Sequence, residues 1–106
     1  MAIGTETEAN FFTLATKAFG SITGSHTSLK AAGDVIKIIT FLNKTNQDLV
    51  ISCDGGTTDH IFLEAGAADK YDFGANSFHE TGGIFVKHNG VAPTSGNVYC
   101  FGVEEG

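Results

Sequence analysis

Arginine and tryptophan are absent from this chain, proline occurs once (Pro93), and only 17% of the 106 residues carry a charge. Each shortage excludes something. The six basic residues are lysines (Lys17, Lys30, Lys37, Lys44, Lys70, Lys87), spread singly against twelve acids for a formal charge of −6. A phosphate-gripping surface needs clustered positive charge, best supplied by the planar fork of arginine, so nucleic acid is not an expected partner. No apolar run approaches the ~18 residues of a membrane-spanning helix. Met1 to Asn10 has neither the basic start nor the apolar core of a secretory leader, so we expect no membrane association and synthesis in a cytoplasm. A charged fraction below the roughly 25% of ordinary domains leaves less polar surface to keep the chain solitary. A partner is therefore expected to cover part of its exterior.

What is present reads as β-structure. Fourteen glycines and nine phenylalanines punctuate short apolar segments, the pattern of an antiparallel sheet protein. The strongest strand is Val35 to Leu42 (VIKIITFL), apolar or β-branched at nearly every position, so both of its faces are expected to be covered. The polar run Asn43-Lys44-Thr45-Asn46 reads as a turn, and Asp48 to Cys53 returns as a partner strand, giving an expected first hairpin. Further strands are expected at His60 to Leu63, Lys70 to Phe73, Gly83 to Lys87 and Asn97 to Val103, with glycine-rich or polar loops between them. Glu6 to Lys17 is the best helical candidate, but Thr13 and Thr16 favour extended structure. The expected architecture is all-β: a single antiparallel β-sandwich or jelly-roll-like domain over residues 34–106 with about six strands, preceded by an extended N-terminal arm over residues 1–33 that adds at most one or two, Met1 to Ser28 holding at most one short helix or strand.

Chemistry has few places to reside. Asp54, Asp59 and His60 have side-chain types suited to a metal ion or to acid-base work. An aspartate before Gly55-Gly56 is also an ordinary turn former, and the run lacks the spaced oxygen ligands of a calcium loop. His26, His79 and His88 stand in turn-like polar contexts with no second histidine three or four residues away. Cys53 and Cys100 lie in strand-like segments, where a reduced thiol serves as a small apolar core residue. No serine sits in a nucleophile elbow and no glycine-rich motif opens a helix. No catalytic residue, cofactor or metal is therefore expected, and a metal-assisted hydrolase built on Asp54, Asp59 and His60 ranks last among the functions considered. A carbohydrate-binding sandwich would use Tyr71, Phe73, Phe78 and Tyr99, without the tryptophan that stacks best on sugars.

The remaining signal is surface. Phe11, Phe12, Leu14, Phe19, Ile22 and Leu29 precede the regular strands, a large apolar load for a segment with little evident structure of its own. The arm either adds a strand to this chain's own sheets or completes a neighbour's, and these six residues are the candidate interface.

The order of pieces over about two thirds of the chain resembles that of small β-rich virion proteins of tailed bacteriophages. The pieces that carry the resemblance are VIKIITFLNKTNQDLVIS, SCDGGTTDHIFLEAGAADKYDFGAN, GGIFVKHNG and SGNVYCFGVEEG. The resemblance implies a protein of many copies in a virion. It would decorate the capsid, or serve as a neck or tail accessory, with copies of itself and other virion proteins as partners. It assigns no site residues.

Overall fold

A computed structural model describes residues 9–33, 35–73 and 82–105. Among the described residues, nine strands form two antiparallel sheets: β1 (Ala9–Phe11), β2 (Ala15–Ala18), β3 (Thr27–Lys30), β4 (Ile36–Asn43), β5 (Leu49–Ser52), β6 (Ile61–Leu63), β7 (Ala68–Asp72), β8 (Ile84–His88) and β9 (Asn97–Glu105). A 3-10 turn at Phe19–Ser21 follows β2. The first sheet runs β1-β9-β4-β7, with β2 also paired to β9, and the second runs β3-β8-β5-β6. When β1 and β2 are taken as one interrupted strand, eight strands wrap so that every connection except β5–β6 passes from one sheet to the other. That winding is a jelly roll, a form of the expected β-sandwich.

The core is the space between the sheets. Ile39, Phe41, Val98 and Cys100 point inward from the first sheet and meet Leu49, Ile51, Leu63, Ile84 and Val86 from the second. Period-two alternation produces this on β9, where Val98 and Cys100 are buried while Tyr99 and Phe101 face the other way. On β4 an extra residue, Lys37, lies between Ile36, opposite Glu104, and Ile38, opposite Val103. This bulge lets Ile36 turn inward and Ile38 outward although they are two residues apart. Gly102 answers the close approach of β4: a Cβ there would lie 2.0 Å from the Ile38 carbonyl oxygen.

Two expectations change. Met1 to Ser28 was expected to hold at most one short helix or strand, yet residues 9–30 carry three strands, paired in cis to β9 and β8. These strands are only three or four residues long and rich in threonine and alanine, so they gave little periodic signal.

The expected β4–β5 hairpin is also replaced, because the two strands lie in different sheets and the polar turn is an arch between them. Asn43 is the reason. Its side chain is fully buried, donates from Nδ2 to the carbonyls of Gln47 (2.9 Å) and Leu63 (3.0 Å), and accepts at Oδ1 from the Thr45 N–H (2.9 Å) and hydroxyl (2.7 Å). The amide thus satisfies backbone groups of the arch and of β6 that would otherwise be stranded in the core.

Candidate interaction surface

The six arm residues expected to form an interface are divided by the fold. Phe12, Ile22 and Leu29 belong to the chain's own core. Leu14 is exposed beside a cleft of about 340 Å³ where the sheets part, lined also by Phe12, Ala15, Leu29, Lys30 and Glu104. Within it the Lys30 ammonium sits 4.9 Å from the centre of the Phe12 ring and 4.0 Å from Glu104. Phe19 is exposed in the 3-10 turn. Phe11 is 87% exposed and stands on the outer face of the first sheet.

That outer face is the most unusual surface of the molecule. Directly opposed residues in antiparallel strands project to the same side, so the register defines three rows across it. The first is Phe11, Val103, Ile38 and Asp72, and the second is Phe101, Thr40 and Lys70. Thr16, Tyr99, Leu42 and Ala68 make the third. Phe101 is 38% exposed, and Ile38, Leu42, Tyr99 and Val103 are half-buried. Its only ionisable side chains in these rows other than the Tyr99 phenol are Lys70 and Asp72, both on edge strand β7. Sequence reasoning singled out Phe11 but missed Ile38, Leu42, Phe101 and Val103. The signal was in NVYCFGV, where both phases of the alternation are apolar, one filling the core and the other facing out.

The sheet edges are built differently. β6 and β1 span three residues each, β3 carries a register shift between Ser28 and Lys30, and β7 displays Asp69, Lys70 and Asp72. Short, irregular or charged edges discourage another strand from adding on.

Asp54, Asp59 and His60 form part of a polar knot rather than an open site. Asp54 Oδ1 accepts from the Ser52 hydroxyl (2.7 Å) and from the N–H groups of Thr57 (3.1 Å) and Thr58 (2.9 Å). The Ser52 hydroxyl first, then the Thr58 N–H, hold its carboxyl well below the usual carboxylate range. His60 Nδ1 accepts from the Cys53 N–H at 3.0 Å, while its Nε2 stands 4.0 Å from Asp54. Asp59 turns away toward Lys87 (3.2 Å) and His26 (2.8 Å), and the Lys87 ammonium does most to lower its carboxyl. Among the described residues no three His, Cys, Asp or Glu side chains converge as a metal centre requires. His88 Nδ1 is buried without a hydrogen-bond partner among them; His79 lies outside the described residues.

Of the aromatic residues named for sugar binding, the three that are described do not share a surface. Tyr71 points into the core, edge-on to Phe41, and burial pushes its phenol up; Phe73 packs against the core. Tyr99 faces out, and Phe78 lies outside the described residues. Cys100 is buried and Cys53 half-buried at the end of β5.

No family model, no curated protein and no solved structure matches the chain.

Proposed function

We propose that this protein is a non-enzymatic structural subunit of a multi-copy assembly, of the kind that decorates the capsid of a tailed-phage particle. The neck or tail is the second position. The observation that carries the reading is the apolar outer face of the first sheet, where Phe11 and Phe101 stand in the open among Ile38, Leu42 and Val103. Exposed aliphatic and aromatic side chains gathered on one flat surface, with charge confined to its rim, mark a contact surface. The layout resemblance to small virion proteins supplies the kind of assembly. The jelly-roll winding is compatible with it, since capsid domains use that winding, but lectins and cupins use it too.

The test is co-sedimentation of the purified chain with phage capsids and, separately, with tails that lack it. Saturable binding at a fixed copy number, weakened by Phe11→Ser together with Phe101→Ser, is expected. A chain that binds neither capsids nor tails, or whose double variant binds unchanged, would overturn the reading.

A further inference from the structure

β4 has the sequence of a strand covered on both sides, yet the described residues form a two-layer sandwich that covers only one. Its inward residues Ile39, Phe41 and Asn43 are buried, while the alternate residues Ile38 and Leu42 face out beside Phe101 with no described layer over them. Three further observations say what could complete it. The edges resist strand addition, so a partner reaches this sheet across its face. The face is nearly neutral on a chain of charge −6, so it is where two copies repel one another least. The pattern is also symmetric about the row of Phe101, Thr40 and Lys70, since Val103 and Ile38 on one side correspond to Tyr99 and Leu42 on the other.

We infer that this face binds the same face of a second copy. The two-fold axis lies in the contact plane, across the strands and along the Phe101 row. Such an axis sets Phe101 against its own counterpart, lays Val103 over Tyr99 and Ile38 over Leu42, and gives the isologous contact that a closed dimer requires. Phe11 comes down over Thr16 of the other copy, and Lys70, on the same axis, meets its own counterpart at the rim, where both stems reach water and the two ammonium groups can diverge.

The size suits a weak, reversible contact. The strands β1, β2, β4, β7 and β9 have 3, 4, 8, 5 and 9 residues, and at ~4.8 Å by ~3.4 Å per residue they give a footprint of roughly 470 Å² per copy. Two such faces bury roughly 950 Å², in the range of transient interfaces, so a dissociation constant on the order of micromolar or weaker is expected. The dimer would have four stacked sheets, with β4 and β9 covered on both faces.

The inference rests on the assembly reading and deepens it, naming a second copy as what this face meets; a particle then takes up the dimer, and the Phe11→Ser, Phe101→Ser double variant weakens uptake by splitting it. Sedimentation equilibrium of the full chain from about 1 µM to about 1 mM brackets the expected range. The expected mass rises from 11.1 kDa to twice that value. Phe11→Ser is expected to weaken the dimer by roughly a hundredfold or more, because each dimer loses the ring twice. Phe101→Lys and Phe101→Glu are each expected to be monomeric, and an equimolar mixture to form a heterodimer, because the axis sets position 101 of one copy against position 101 of the other. Thr40→Lys with Thr40→Glu repeats the charge pairing on the same row, should either position-101 variant lose its circular dichroism spectrum.

A wild-type chain that stays at 11.1 kDa throughout, or folded charge variants whose mixture gains no heterodimer, would overturn the inference. Binding of that monomer to particles would leave the assembly reading standing. A dimer that ignores every particle would do the reverse.

Discussion

Replacing Asn43 by alanine removes the pin between the two sheets, and its cost can be worked from the bonds it makes. Four hydrogen bonds are lost. The Thr45 hydroxyl, its proton no longer drawn to Asn43, serves the Gln47 carbonyl (3.0 Å), but the Leu63 carbonyl loses its Asn43 donor and the Thr45 N–H its Asn43 acceptor. With a net value of about 1 kcal/mol per bond and a further penalty for buried groups left unpaired, N43A is expected to lose about 3 to 5 kcal/mol. That is a large share of the roughly 5–15 kcal/mol of a typical domain. Equilibrium urea unfolding followed by far-UV circular dichroism reads it directly: the midpoint falls and the slope is unchanged, because the same surface is exposed on unfolding.

N43D sharpens the test. An ionised carboxylate keeps the acceptor but has no donor for the two carbonyls and adds negative charge beside them, so its folded-state pKa is raised. The variant is therefore expected to lose stability as pH climbs above the unfolded value of ~3.9, until the folded pKa is passed. A loss below about 1 kcal/mol for N43A, or a pH-independent N43D, would refute the role of the amide as the inter-sheet pin.

Other perturbations follow from the same structure. Gly96→Ala would drive a Cβ to 1.9 Å from the Lys44 carbonyl oxygen at a φ of +87°, and is expected to displace the arch and lower the midpoint by as much as N43A or more; an unchanged urea midpoint would count against the close approach. Phe41→Ala empties the centre of the core and is expected to cost about 3–5 kcal/mol by the same assay, whereas Phe62→Ala on the exposed side of β6 should stay within about 0.5 kcal/mol. Asp54 has a folded pKa below its unfolded value, so its contribution is fully present above the unfolded value and lost as pH falls from there through the folded one. In an NMR acid titration the Thr58 amide is expected to move only well below the ordinary carboxylate range, and a midpoint near pH 4 would argue against the hydrogen-bonded turn.

Much of the fold was legible in the sequence. Between residues 35 and 105 every strand was anticipated to within a few residues, since apolar alternation and glycine or polar loops are local signals. Topology was less legible. A turn such as Asn43-Lys44-Thr45-Asn46 can close a hairpin or span two sheets, and the choice depends on whether Asn43 is buried against Leu63, twenty residues away. β1 and β2 were illegible for a related reason: their partner β9 is roughly eighty to a hundred residues distant, and nothing within ANF or ATKA announces it. The apolar outer face was half legible. The apolar content of VIKIITFL and NVYCFGV was evident, but which phase faced the core required the register of β4 against β9.

The place of β9 also sets an order of events during synthesis. It holds β1 and β2 on one side and β4 on the other, so a nascent chain that stops before Asn97 has strands at both ends of one sheet with nothing between them. Residues 9–18 must wait for residues 97–105 to leave the ribosome, and closure across so long a loop belongs to the slow, millisecond-to-second regime of all-β folding. The outer face comes into being in that last step, when Val103 falls between Phe11 and Ile38. A chain cut short before Asn97 therefore lacks the continuous outer face that Phe11, Val103 and Ile38 share in the finished molecule.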